Sequence, residues 1–254
     1  MVKKENVRLH LLDALRGFLL LHMIAYHGMW NLVYLFGVNV PWYKGTPGYI
    51  WQQFICWSFI LLSGFCWSMS RNHRKRGLLV FAGGAVVSLV TGIAMPENRI
   101  LFGILTCIGS CMLLLIPWEK PLKRLPAAVG AALSFLLFFL LRNCGSGTLG
   151  FEKLVLWDLP ELLYRNNLTA YLGFPQPSFF STDYFPLIPW FFLFATGYFL
   201  FRITGERGWN EKLFARGQFP LLNFLGRHSL VVYLLHQPVL YGLGILIFQF
   251  LLPQ

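Results

Sequence analysis

The sequence predicts an all-α fold: a polytopic transmembrane helical bundle of about seven spanning helices, read as one integral domain over residues 1–254. An amphipathic helix is expected in a long outer loop, 143–183. Three observations carry this. Of 254 residues, 56% are hydrophobic and 12% charged, whereas soluble domains carry about 25% charged residues. Several windows exceed the roughly 18 apolar residues needed to cross a bilayer. The basic residues, 21 against 10 acidic ones, gather in short segments between apolar runs, where membrane orientation places them.

The spans fall at 11–36, 49–70, 78–95, 100–117, 125–142, 184–203 and 224–251. The first is too long for a signal-peptide core and is read as a retained helix. The second carries Ser63 beside Gly64, a pair suited to helix packing. The third is the weakest, softened by Gly83-Gly84 and Gly92, which suit close helix packing. The fourth carries Cys107 and Cys111 one turn apart, with no histidine or acid to complete a metal site, so both are read as small buried groups. The five cysteines are an odd number, mostly inside apolar spans, which argues against a disulfide framework. The fifth span is nearly uninterrupted Ala, Leu and Phe. Within the outer loop, 151–166 is amphipathic enough to lie along the interface, with Pro160 interrupting it. Thr169 to Asp183 is rich in aromatics, Pro and Ser, which suits either a sugar-binding surface or interface anchors.

Seven spans place the termini on opposite sides. With the N-terminus cytoplasmic, the inner segments hold Lys3, Lys4, Arg8, the Arg71 to Arg76 run, Lys120, Lys123, Arg124, Arg202, Arg207, Lys212, Arg216 and Arg227. The outer segments hold Lys44, Arg99, Arg142, Lys153 and Arg165. This is a positive-inside pattern, and it predicts a multi-pass protein of a bacterial cytoplasmic membrane. The net charge of +11 is thereby used for orientation and contact with membrane lipids. No basic face with interleaved aromatics lies outside the spans, so nucleic acid is excluded as a partner.

The first span carries Asp13, Arg16, His22 and His27, residues that cost about 3 kcal/mol each at mid-bilayer and are functional candidates by default. Eleven residues at about 100° each return Arg16 and His27 to nearly one face, roughly 16 Å apart along the axis. Asp13 lies within about 40° of that stripe, three residues before Arg16, and suits the task of orienting it. His22 points elsewhere and reads as a packing residue. Asn31, one turn beyond His27, can orient the imidazole or an acyl oxygen. In the last span Ser229 and His236 share a face near Tyr233. On a continuous helix His236 stands about 13 Å beyond Arg227. Guanidinium groups at one end (Arg8, Arg16, Arg227) suit a phosphorylated donor. A neutral imidazole about three turns further out suits a general base. Coenzyme A thioesters have that extended shape. The competing possibility is a proton-coupled transporter, with the stripe as a relay, although no pair of broken helices supports it.

Four sequence elements carry a resemblance. Leu12-Asp13-Ala14-Leu15-Arg16-Gly17 with His27 resembles the Asp-x-x-Arg-Gly…His signature of the membrane acyltransferase superfamily. Phe59 to Phe65 resembles its FxxLSGF element, and Leu225 to Pro238 its closing LGRxSLxxYLLHxP element. Asp183 to Phe191 is similar to the DYFPLxPW element of the heparan-α-glucosaminide N-acetyltransferase-like branch. The resemblance implies acyl transfer, specifically acetyl transfer, from cytoplasmic acyl-CoA to a hydroxyl or amine of an extracytoplasmic sugar or glycoconjugate.

By that resemblance Arg16 and His27 are the core pair, with His27 the base, and acetyl-CoA is the co-substrate. The full catalytic set is His27, Arg16, Asp13, Asn31 and His236. Arg8, Arg16, Arg227 and Ser229 are the expected acyl-CoA contacts, and no metal is expected. Asp183, Tyr184 and Trp190 are the expected acceptor contacts, with a helix N-cap as the other use of Asp183. The chain has no histidine in its first outer loop, 37–48, and no large lumenal domain, so a bacterial envelope glycan is the acceptor class implied rather than heparan. A homodimer is an open arrangement.

Overall fold

The computed structural model describes residues 9–215 and 219–251. Helix α1 runs His10–Trp30 and widens into a π-helical turn, Asn31–Leu35. A single turn, α2 (Pro41–Lys44), precedes α3 (Thr46–Trp67). Helices α4 (His73–Ala94), α5 (Ile104–Lys123) and α6 (Ala127–Leu140) follow. Strands β1 (Thr148–Phe151) and β2 (Leu154–Asp158) and the short α7 (Asn167–Leu172) lie in the long connection between α6 and α8. Helices α8 (Leu187–Glu206), α9 (Trp209–Phe214), α10 (Pro220–Arg227) and α11 (Ser229–Ile245) complete the chain.

Among the described residues, seven helical stretches are long and apolar enough to cross a membrane: His10–Leu35, Thr46–Trp67, His73–Ala94, Ile104–Lys123, Ala127–Ser146, Leu187–Glu206 and Ser229–Phe248. The all-α, multi-pass bundle expected from composition is therefore the observed one. The weakest expected span is a full helix, α4. Its Leu78, Leu79, Leu89 and Ile93 are exposed, as lipid-facing residues must be. The cysteines are buried, the use expected of them.

Two elements differ from expectation. The stretch 151–166 is not an interfacial helix. It closes an antiparallel hairpin in which Leu149 pairs with Trp157 and Phe151 with Leu154. Leu154-Val155-Leu156-Trp157 favours a strand, and Pro160 stops any helix that would continue past it. The Asn143 side-chain amide fastens the turn by donating to the carbonyl of Glu152 at 2.9 Å. The last expected span, 224–251, is also divided. His228 (φ −102°, ψ 24°) breaks the helix, so Arg227 ends α10 and Ser229 begins α11. The 13 Å rise expected between Arg227 and His236 on one continuous helix does not apply.

The chain forms two compact units. Unit one comprises Met1–Phe59 and Arg207–Gln254. In it α1 packs on α10 and α11. Leu20, Met23 and Ile55 form its core, covered by Tyr26, Trp51, Phe59, Leu225 and Val232. Unit two is Ile60–Glu206, built on the pairs α4–α5, α6–α8 and α5–α8. The Ser-Gly element of α3 is a packing device here. A Cβ on Gly64 would stand 1.9 Å from the Phe194 carbonyl oxygen, and one on Gly197 2.1 Å from that of Leu61.

Candidate active site

The first motif builds the N-terminal end of the site. Asp13 and Arg16, one turn apart on α1, form an ion pair with Arg16 Nη1 donating to Asp13 Oδ1 at 3.1 Å. Both are largely withdrawn from solvent, so each offsets the other's desolvation. The glycine after Arg16 has a steric reason. A Cβ there would lie 2.0 Å from the Leu222 carbonyl oxygen, and one on Gly226 would lie 1.8 Å from that of Asp13. The Asp-x-x-Arg-Gly and Leu-Gly-Arg elements thus interlock backbone to backbone in antiparallel order. Arg227 is carried next to the turn that holds Asp13.

Asn223 pins the same joint. It is 2% exposed, and its amide donates to the His10 carbonyl at 2.6 Å while its oxygen accepts from Phe219 N–H at 2.7 Å. Arg227 itself is exposed, and Ser229 is half-buried at the start of α11. Arg8 lies outside the described residues, as do Lys3, Lys4 and Arg216.

The C-terminal part of α1 meets α11 through two imidazoles. The rings of His27 and His236 have centroids 4.9 Å apart with planes at 61°. His236 Nδ1 is hydrogen-bonded to the Tyr233 carbonyl. A carbonyl only accepts, so Nδ1 carries the proton and the Nε2 lone pair of the neutral ring stays available. That Nε2 is buried, and no hydrogen-bond partner reaches it among the described residues. Beside the imidazoles, Gln237 Nε2 donates to Asn31 Oδ1 at 2.8 Å. Gln237 is a site residue that the sequence reading missed. Its one signal was a polar amide directly after His236 in an apolar run.

Around the C-terminal end of α1 stands a cluster of aromatic side chains, also unforeseen. Tyr43 donates to the Tyr26 carbonyl at 3.0 Å, Tyr26 packs against His27, and Trp42 tilts against Trp51. His22 is held among Phe18, Trp51 and Phe54. It accepts from Trp51 Nε1 at 3.0 Å, which is the packing use expected of it.

Within unit two, the expected acceptor residues are engaged in structure. Asp183 Oδ2 accepts from the N–H of Ile104 at 3.3 Å. It thereby caps α5, not the helix that follows it, since α8 starts only at Leu187. Burial pushes its carboxyl up to about 6, against the smaller downward pull of that N–H. The Tyr184 hydroxyl donates to the Ala170 carbonyl at 2.5 Å, and desolvation raises its phenol above the ordinary range. Trp190 is 4% exposed. Its ring packs on Phe138 and Phe185 and lies under the Arg142 guanidinium, 5.0 Å from the ring centre.

Comparison with curated proteins and with solved structures gives no match in either set. A family match covers residues 8–238, from just before the Asp13–Arg16 pair to the proline after Gln237. Over that length, the chain belongs to the family described as heparan-alpha-glucosaminide N-acetyltransferase, catalytic, whose activity is of the transmembrane acetyltransferase type.

Proposed function

We propose that this protein transfers an acetyl group from acetyl-CoA on the cytoplasmic side to a hydroxyl or amine of an extracytoplasmic glycan or glycoconjugate. The observation that carries it is the imidazole pair, with His27 of α1 and His236 of α11 at 4.9 Å, and the Asp13–Arg16 ion pair on the same α1 roughly 16 Å from His27. Family membership supports acetyl-CoA as donor. In this reading Arg16, Arg227, Ser229 and Arg8 hold the phosphates and pantetheine end of the donor, and Asp13 keeps Arg16 oriented. The acyl thioester then extends along α1 toward the imidazoles.

The chemistry balances without an added reagent. The acceptor's oxygen or nitrogen attacks the thioester carbonyl, and the imidazole pair takes its proton. The new C–O or C–N bond forms as the C–S bond breaks, and the CoA sulfur leaves with that proton returned to it. An amide N–H of the Asn31–Gln237 pair is suited to the developing oxyanion or to the acceptor.

The test uses the full chain in lipid nanodiscs with acetyl-CoA and glycoside acceptors. Release of CoA thiol must depend on the acceptor, and acetylated product must appear by mass spectrometry. His27→Ala and His236→Ala should each abolish product while acetyl-CoA binding persists. Proton-coupled flux of a solute in proteoliposomes, with no acetyl product under any condition, would overturn the reading in favour of a transporter.

A further inference from the structure

The amide pair leaves an unusual remainder. Asn31 is 2% exposed, and its Oδ1 is occupied by Gln237 Nε2. Its Nδ2, together with Gln237 Oε1 and His236 Nε2, is buried with no hydrogen-bond partner among the described residues. Unpaired buried polar groups cost about 1–3 kcal/mol each, so three on neighbouring residues call for a ligand that satisfies them. Turning both amides over exchanges their roles and leaves the same remainder, one N–H donor and one oxygen acceptor. The helix is also altered at this point. The Phe36 N–H donates to the Asn31 carbonyl at 3.0 Å, opening the π turn that starts at Asn31.

The chemistry of the remainder identifies its occupant. One donor beside one acceptor matches a hydroxyl, which accepts from Asn31 Nδ2–H and donates to Gln237 Oε1. His236 Nε2 is a second acceptor, available for another proton. A single neutral amine would fill all three positions, but the lone pair bonded to Asn31 is the one it needs for attack. Two adjacent hydroxyls fill them and leave a lone pair on the reacting oxygen.

An ammonium finds no counter-charge here among the described side chains of unit one. Among the described side chains of unit one the single carboxylate is Asp13, paired with Arg16 and about 27 Å along the helix from Asn31.

We propose that the Asn31–Gln237 amide pair is the acceptor clamp of this site. It grips one hydroxyl of an uncharged vicinal diol while the imidazole pair deprotonates the neighbouring hydroxyl, so that the product is an O-acetyl ester. This rests on the acetyl-transfer reading above and narrows it from hydroxyl or amine to a sugar diol. Gln237 is thereby a substrate-binding residue.

The experiment measures kcat/KM with acetyl-CoA for n-octyl β-glucoside, its 2-, 3-, 4- and 6-deoxy analogues and its 2-amino-2-deoxy counterpart. The enzymes are the full-length wild type, Gln237→Leu and Asn31→Leu in nanodiscs. The expected product is a hydroxylamine-labile ester. One deoxy analogue should lose about tenfold with the wild type, the scale of one lost hydrogen bond. Gln237→Leu should lose about the same on the parent glucoside, with no further loss on that analogue, because clamp and hydroxyl act on one interaction. The KM for acetyl-CoA should not move.

Ester formation equally fast with every deoxy analogue overturns the clamp on wild-type data alone, whatever the variants do. So do additive losses, or a hydroxylamine-stable amide as the main product. Each of these leaves acetyl transfer standing. Absence of acetyl product from all six probes overturns the transfer reading itself and the clamp with it.

Discussion

Gly17→Ala tests whether the first motif is a joint as well as a charge site. The added Cβ would sit 2.0 Å from the Leu222 carbonyl oxygen and 2.7 Å from its carbon, where ordinary contact begins at 3.4 Å. The deficit is therefore about 1.4 Å, and the obstacle is backbone, so no rotamer change removes it. Overpacking costs about 1–3 kcal/mol even where side chains can yield. A backbone obstacle belongs at the upper end, about 3 kcal/mol, or roughly 6–12 °C in melting temperature for a chain of this size.

The displacement also strains the Asn223–His10 bond of 2.6 Å and carries Arg227 away from the Asp13 turn. The KM for acetyl-CoA should accordingly rise by about tenfold, the effect of losing one charged phosphate contact. The assay pairs a thermal melt in detergent with donor kinetics, and Gly92→Ala is the control. Nothing lies within 4 Å of a Cβ at Gly92, and alanine there should be neutral or stabilise α4 by up to about 1 kcal/mol. A Gly17→Ala protein melting within 2 °C of wild type, with an unchanged donor KM, would refute the interlocked joint.

Three further outcomes are expected. His236→Ala should lower kcat by about 10²–10⁴ with calorimetric acetyl-CoA affinity unchanged; an equal loss of affinity would assign it to binding instead. Arg16→Lys keeps the charge but loses the planar fork, so the donor KM should rise by about tenfold while kcat at saturation holds. Asp183 is raised from its ordinary 3.8 to about 6 in the folded protein, so the fold holds its proton more tightly than the unfolded chain does. Its contribution to stability is fully present below about pH 4 and is lost as pH rises through about 6. The melting temperature of wild type should therefore fall relative to Asp183→Asn between those values, and parallel curves would exclude the coupling.

Most of the bundle is legible in the sequence because a bilayer demands long apolar runs and tolerates no unpaired backbone. Arg16 and His27 are legible as well, since charge and imidazole stand out against lipid-soluble neighbours. The features that escape are those decided by distant contacts. The break at His228 follows from α10 turning to meet α1 through Gly226, a contact with Asp13 more than 200 residues away in sequence. The hairpin at β1–β2 has the same apolar content as the amphipathic helix expected there, and the Asn143 amide that fastens its turn lies outside the segment. Asn31 is recognisable by its spacing from His27, whereas Gln237 gains meaning only once α11 lies beside α1. Asp183 does cap a helix, but one that begins 79 residues earlier in the chain.

That last contact sets an order of events in biosynthesis. The segment 180–185 stitches onto 98–104 repeatedly: Thr182 N–H to Arg99 O at 3.1 Å, Phe185 N–H to Phe102 O at 2.9 Å, Leu101 N–H to Ser181 Oγ at 2.9 Å and Ile104 N–H to Asp183. Helix α5 therefore leaves the ribosome with its first amide, Ile104 N–H, unmatched and waits for a partner about 80 residues downstream. At about 5–20 residues per second the interval is roughly 4–16 s. During it α4 and α5 must persist as an inserted hairpin whose connecting turn only water or headgroups can satisfy. Truncating nascent chains just before and just after residue 185 should then separate a protease-sensitive 98–104 turn from a protected one.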